Sequence, residues 1–168
     1  ITPHHFMLQC PQPQTTMIKP TESQVAEALE QHGLWLSDPS RGKKAEFLQM
    51  DLRHICFAGV NLRHAAIVGC DFMWTSFEGA DLQHACLQRC DFSYCSLFSA
   101  NLAHSNLLAS RFVGATVCDA SLGHAKLPFC DLRNADLGDA SLNEVDLCGA
   151  IGNRAEVQSM NIGPYPVA

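Results

Sequence analysis

Four histidines of this sequence recur at one constant interval, and they are its clearest candidates for side chains with chemistry of their own. Neutral imidazole is a common ligand of divalent metals, so neighbouring imidazoles could form a weak metal site. They could instead titrate as a coupled, pH-sensitive set, because adjacent charged imidazoles repel one another by about 1 kcal/mol in a water-like dielectric. A solvated row of side chains and a contact surface for a partner are the alternatives. The four residues are His64, His84, His104 and His124.

No motif of a familiar catalytic class accompanies these histidines. The sequence contains no P-loop, GxSxG or HExxH pattern and no paired zinc-type CxxC. His84, Cys86 and Cys90 resemble a metal-ligand spacing only superficially. We therefore expect a protein that is not an enzyme and that has no cofactor.

Composition narrows the remaining classes. The length of 168 residues is typical of one domain, and 47% apolar residues are enough for a core. The net charge of −6 argues against direct nucleic-acid binding, which normally depends on clustered Lys and Arg. No apolar run is long enough for a membrane span, so no membrane association is expected. Nine cysteines, an odd number without CxxC pairs, favour a reduced protein in the cytoplasm.

The sequence has a period of five from Phe47 to Leu147. All 21 positions whose numbers end in 2 or 7 hold a large apolar residue in this range. Two positions earlier the residue is small, most often Ala, with Cys, Ser or Thr in most of the other repeats. Asp or Asn stands between the two in about half of the repeats, as in Ala80-Asp81-Leu82 and Ala135-Asp136-Leu137.

Neither a helix nor a flat strand could bury this pattern in one core. A five-residue step advances about 140° around an α-helix, which scatters the apolar groups over all sides. In a strand, successive repeats would point to opposite faces. A chain that turns a corner once per repeat would instead direct both apolar positions at a shared axis, with small residues beside the corners.

The A(D/N)LXX pattern resembles the pentapeptide-repeat family over residues 45–150. The resemblance implies an all-β solenoid, a right-handed quadrilateral β-helix in which four repeats make one coil. The 21 repeats then form about five coils. At about 4.8 Å per rung the rod would be roughly 25 Å long.

A coil of four repeats places residues numbered alike modulo 20 on top of each other. The core would then contain a leucine ladder and a phenylalanine ladder, with Cys70, Cys90 and Cys130 in one inward column and Cys56 and Cys86 facing outward. The four histidines would stack on one outer face. Half a coil away, His54, Trp74 and Tyr94 would form a candidate interaction surface or merely cover neighbouring turns. The core ladders are Leu62, Leu82, Leu102 and Leu122, and Phe72, Phe92 and Phe112.

The two ends differ from the repeats. Residues 1–20 contain four prolines and are expected to be extended. Residues 21–44 are expected to form a helical cap and linker: a capping box at Thr21–Gln24 starts a short helix that ends near Gly33, and Trp35 plugs the open coil. The segment from His32 to Leu36 also resembles one that precedes some bacterial pentapeptide arrays. Residues 151–168 are expected to be a truncated C-terminal capping segment with a closing strand.

The pattern favours a rigid scaffold that presents side chains to a protein partner of unknown identity, in an unknown oligomeric state. The alternative comes from family members that mimic DNA, bind type II topoisomerases such as gyrase and confer quinolone resistance. The repeats carry 12 acidic and 6 basic residues, with Asp71, Asp91 and Asp131 in one column beside Met73 and Arg133. That charge is modest for a DNA mimic.

Overall fold

The structure, a computed structural model, describes residues 16–152. The predictions for residues 1–15 and for a closing strand after residue 152 therefore lie outside the described residues. Within them, one helix, α1 (Glu22–Ser37), precedes two short strands, β1 (Glu46–Leu48) and β2 (Ala66–Val68), and a long series of single β-bridges.

The backbone winds into a right-handed quadrilateral β-helix, as the resemblance to the pentapeptide-repeat family implied. Strands β1 and β2 pair in parallel with Glu46 opposite Ala66, and every further bridge from Asp51 onward has the same offset of four repeats. The amide of Leu82, for example, donates to the carbonyl of Asn101 on the next coil over 2.7 Å. Four repeats therefore make one coil, and equivalent residues of successive coils lie side by side.

The corners of the coil are tight turns, and an Asp or Asn side chain caps many of them. The amide of Ala85 donates back to the carbonyl of Leu82 over 3.0 Å, and His84 between them has a left-handed backbone with φ of 59°. The Asp81 carboxylate accepts a hydrogen bond from the amide of Gln83 over 3.1 Å. Because a short Asp or Asn side chain reaches that amide, these residues recur before the large apolar one.

The interior is filled by the large residue of each repeat. Phe72, Phe92 and Phe112 stack with ring centroids 5.2 Å apart, and Phe77 packs edge-on against the first two. All residues of the two predicted core ladders are buried. Leu137 and Leu142 in the last coil are only half-buried, because the described chain places no further coil on them.

The small inward position also accepts Cys, Ser and Thr, and most of these side chains donate a hydrogen bond to the preceding coil. The Ser110 hydroxyl donates to the carbonyl of Leu87 over 2.6 Å and accepts from the amide of Cys90 over 3.0 Å. The Cys130 thiol donates to the carbonyl of Leu107 over 2.9 Å. These side chains fill an alanine-sized space and satisfy a buried carbonyl at the same time.

Helix α1 begins as expected but ends later than predicted. The Thr21 hydroxyl accepts from the amide of Gln24, whose side chain accepts from the amide of Thr21. The helix continues through Gly33, whose backbone φ is not positive, so the prediction that it ends there is wrong. It ends at Ser37, where the amide of Asp38 donates to the carbonyl of Leu34.

The prediction that Trp35 plugs the open coil is also wrong. The helix side chains that are fully buried are Val25 and His32, which lie on one face of the helix, two turns apart. Trp35 is half-buried at the rim, beside Arg63 and His64, and stacks on His32 with ring centroids 5.6 Å apart. The His32 Nδ1 accepts from the amide of Ala45 over 3.1 Å and so ties the helix to the first repeat.

The segment before the helix adds a rung to the first coil. Ile18 pairs in parallel with Met50: its amide donates to the carbonyl of Gln49 over 3.1 Å, and its carbonyl accepts from the amide of Asp51 over 2.8 Å. The described part of the extended N-terminal segment is therefore joined to the β-helix by two backbone hydrogen bonds.

Candidate interaction surfaces

Trp74 and Tyr94, here called the aromatic corner, form a stacked pair on the outside of the rod. Both occupy left-handed corner positions, with φ of 66° and 59°. Their ring centroids are 4.3 Å apart at an interplanar angle of 7°, although the residues are 69% and 45% exposed. Tyr94 in turn lies over Gly114, where an added Cβ would come within 2.7 Å of the Tyr94 Cε1 atom.

His54, the third residue of the predicted surface, is exposed but does not extend this stack. Its backbone lacks the positive φ that Trp74 and Tyr94 share, so its side chain leaves the corner differently. Among residues 16–152 no ring packs on His54 in a stacking contact. The structure therefore reduces the predicted aromatic surface to a pair.

Arginine–aspartate pairs flank the aromatic corner along the rod. Arg53 binds both carboxylate oxygens of Asp51, at 2.8 and 2.7 Å, and Arg133 binds Asp131 in the same way at 2.9 and 2.7 Å. The Arg53 hydrogen bond lowers the pKa of Asp51 to about 2. Two longer contacts, Arg53 with Asp71 and Arg111 with Asp91, complete the row. The acidic column noted in the sequence is therefore largely paired with cations.

His64, His84, His104 and His124, here called the histidine corner, are stacked as a continuous row half a coil away. Successive ring centroids are 5.0, 4.8 and 4.7 Å apart, with interplanar angles of at most 13°. All four side chains are exposed. The row ends at Glu144, whose Oε2 lies 3.1 Å from Nδ1 of His124.

The described residues do not assemble a metal centre of three or more protein ligands. Over 16–152, no group of three His, Cys, Asp or Glu side chains is placed to hold an ion. The chemistry of the histidine corner therefore depends on pairs of neighbouring rings.

Within residues 16–152, no helix is long and apolar enough to cross a membrane.

The cysteines divide by position in the repeat. Those at the inward position, such as Cys95 and Cys130, are buried, and burial raises the pKa of each of these two thiols to about 12. Cys56 and Cys148 are exposed, and Cys86 is half-buried. The exposed thiols are the accessible nucleophiles of the described surface.

Three of these features were missed by reading the sequence. Glu144 lies one coil after His124, so extending the histidine column by one coil would have found it. Gly114 is the equivalent continuation of Trp74 and Tyr94. The burial of His32 was harder to predict. The only signal in the sequence is its helical spacing from Val25, and a lone histidine on a helix does not by itself indicate burial.

Comparison with known proteins gives one family and several solved structures. A sequence model of pentapeptide repeats matches residues 55–93 and 130–162 in eight copies. A search of curated proteins by sequence gives no significant match.

The solved structures to which the chain is similar include pentapeptide-repeat and quinolone-resistance proteins of low sequence identity. Rfr23 from the cyanobacterium Cyanothece 51142 is 23% identical over 56% of this chain and 61% of its own, with a TM-score of 0.46. The chain thus covers less than two thirds of that protein. The pentapeptide-repeat protein alr5209 from Nostoc PCC 7120 is 26% identical over 55% of this chain and 82% of its own, with a TM-score of 0.47. QnrB1, a plasmid-mediated fluoroquinolone resistance protein, is 19% identical over 73% of this chain and 74% of its own, with a TM-score of 0.41.

Up to residue 152, the family match falls on repeats that the structure winds into coils of four. The Asp or Asn caps, the buried large residues and the small inward positions account for the A(D/N)LXX pattern residue by residue. The matched residues are pentapeptide repeats, and the described coils are built from this unit.

Proposed function

We propose that this chain is a non-enzymatic, rigid interaction module whose aromatic corner contacts a protein partner. The observation that carries the proposal is the exposed stack of Trp74 on Tyr94, at 4.3 Å. Large exposed aromatic rings are the side chains most enriched among the energetically dominant residues of interfaces. We also propose that the protein is located in the cytoplasm, because its odd number of cysteines without CxxC pairs favours a reducing compartment.

The surroundings of the aromatic corner support the same proposal. Met73 and Val113, one residue before Trp74 and Gly114, are half-buried beside it. Beyond them along the rod, Arg53 and Arg133 supply a polar rim that is already paired with carboxylates. An apolar centre within a polar rim is the usual anatomy of an interface. Because the two rings already stack on each other, less side-chain freedom is left to lose on binding.

The test compares three baits in affinity capture from the source cell: the unaltered chain, Trp74→Ala with Tyr94→Ala, and Phe129→Ala. Phe129 is the matched control, since it is 65% exposed, has a left-handed backbone and lies over Gly149 as Tyr94 lies over Gly114. We expect one partner to be retained by the unaltered chain and Phe129→Ala, and lost by the double variant. With that partner purified, the double substitution should weaken binding by about 2 kcal/mol or more.

An identical set of captured proteins for all three baits would contradict the assignment of the aromatic corner. Capture of no protein by any of them, across salt concentrations, would contradict the interaction function itself.

A gyrase-binding DNA mimic is the second candidate. The carboxylates that would imitate a phosphate row, Asp51, Asp71, Asp91 and Asp131, each face an arginine. This pairing weakens the negative field that such mimicry needs. We therefore expect no inhibition of gyrase supercoiling at micromolar protein, and clear inhibition would reverse the ranking of the two functions.

A further inference from the structure

The C-terminal end of the histidine corner has the hydrogen-bond arrangement of a metal-binding histidine. Glu144 Oε2 lies 3.1 Å from Nδ1 of His124. A carboxylate accepts only, so it fixes the proton of the neutral ring on Nδ1. The lone pair of Nε2 is then free. Histidines that bind metals generally have this second partner on the other ring nitrogen.

A second imidazole lies within reach of the same ion. The rings of His104 and His124 are parallel within 8°, with centroids 4.7 Å apart. A tetrahedral ion with metal–nitrogen bonds of about 2.0–2.1 Å would need the two nitrogens about 3.4 Å apart. Because the stacked rings are parallel, both exposed side chains have to turn about χ1 and χ2 until their nitrogen lone pairs converge on one ion.

The charges along the corner favour this end. His64, at the other end, lies beside Arg63, whose guanidinium repels a cation and is only partly offset by Asp81 at 3.7 Å. Glu144 adds a negative charge next to His124. The described residues bring no third ligand to the pair, so water would fill the remaining positions.

We propose that His104 and His124 bind one divalent transition-metal ion between them, with Glu144 as the positioning residue of His124. Imidazole nitrogen selects Ni²⁺, Cu²⁺ and Zn²⁺ over Mg²⁺ and Ca²⁺. With two protein ligands the ion is held at an open, exchangeable site. The proposal does not depend on the aromatic corner, which lies half a coil away.

The experiment is a Ni²⁺ titration by calorimetry near neutral pH, with broadening of the histidine ring proton signals as a second readout that localises the paramagnetic ion. The variants are His104→Ala with His124→Ala, Glu144→Gln, and His54→Ala as the control for an exposed histidine outside the corner. His4, His5 and the exposed cysteines are retained throughout, so their contribution is the same in every titration.

We expect the double variant to bind Ni²⁺ about tenfold more weakly or worse, Glu144→Gln to lose affinity by a smaller factor, and His54→Ala to match the unaltered chain. Binding should also be weaker in mildly acidic buffer, because protons compete for the same nitrogens. Equal affinity of the unaltered chain and the double variant would overturn the proposal. So would an equal loss in His54→Ala. An unchanged affinity in Glu144→Gln would overturn the role given to Glu144.

Discussion

The thiol of Cys95 donates a hydrogen bond to the backbone carbonyl of Phe72, on the preceding coil, over 2.8 Å. The contact joins the inward position of one coil to the large apolar residue of the coil before it. It also holds the thiol in the interior, where burial raises its pKa to about 12. A cysteine in this column is therefore a structural donor rather than a reactive group.

This difference predicts which cysteines react with an alkylating reagent. In the folded protein in mildly alkaline buffer we expect iodoacetamide to modify Cys56 and Cys148 and to leave Cys95 and Cys130 unmodified, since the thiolate is the reactive form. Mass spectrometry of peptides after timed quenching measures each site. Unfolding in urea should make all four react at similar rates, and fast modification of Cys95 before unfolding would contradict the buried assignment.

Loss of one ring from the phenylalanine ladder should be severely destabilising. Phe92 is fully buried between Phe72 and Phe112, so Phe92→Ala should lower the free energy of unfolding by about 3–5 kcal/mol. The control is Phe98→Ala, since Phe98 is 45% exposed, and it should cost less than about 1 kcal/mol. Urea denaturation followed by circular dichroism gives both values. Equal costs would mean that the ladder does not form.

Alanine substitution of two corner glycines allows the cost of backbone strain to be measured separately from that of steric contact. Gly79 and Gly114 have nearly the same φ, 63° and 64°, but only Gly114 has a side chain, Tyr94, within 4 Å of the added Cβ. We expect Gly79→Ala to cost about 1 kcal/mol through its left-handed backbone. Gly114→Ala should cost more, because the added Cβ also displaces Tyr94 from Trp74.

The displacement is measured by Trp74 fluorescence in a Trp35→Phe background, because the chain has two tryptophans. A changed emission spectrum is expected for Gly114→Ala and an unchanged one for Gly79→Ala. If both variants give the same spectrum, Tyr94 does not rest on Gly114.

Docking of the helical cap should weaken as the pH falls below about 6.5. Burial lowers the pKa of His32 from its ordinary value of 6.5, so the folded state holds the neutral ring. The unfolded chain therefore takes up the proton first, and stability that is fully present above pH 6.5 is lost as the pH decreases towards the folded pKa. The carboxylate of Asp51, with its pKa of about 2, titrates well below this range.

Trp35 fluorescence in a Trp74→Phe background reports the melting of the cap, since Trp35 stacks on His32. Between neutral and mildly acidic pH we expect a larger fall in melting temperature for the chain with His32 than for His32→Gln. His54→Gln serves as the control and should retain the full pH dependence. Identical pH profiles for the unaltered chain and His32→Gln would show that this ring does not control docking.

The repeat region was predictable because every coil applies the same rule. A large residue every five positions can only be buried if the chain turns between them, and Asp or Asn caps the turn wherever one of them precedes the large residue. The stacking of His64 on His84 follows from that geometry alone, as does the burial of Phe92. The capping box at Thr21 was equally readable, because both of its hydrogen bonds are local.

The ends and corners were harder because their outcome depends on contacts between distant segments. Trp35 is the larger and more apolar side chain, yet His32 is buried, since the amide of Ala45 offers it a hydrogen bond that the sequence does not reveal. His54 shares the register of Trp74, but a different backbone conformation at that corner separates their rings. In both cases the residue type alone did not determine the direction of the side chain.

The pairing of each repeat with the fourth one after it also restricts how such a chain can change its length. Adding one five-residue unit would keep every local turn intact, yet everything downstream would rotate by a quarter of the circumference, and imidazoles would then meet the wrong neighbours. Adding four units at once would lengthen the rod by one rung and leave all outer rows aligned. Duplications that preserve a surface pattern should therefore come in whole coils.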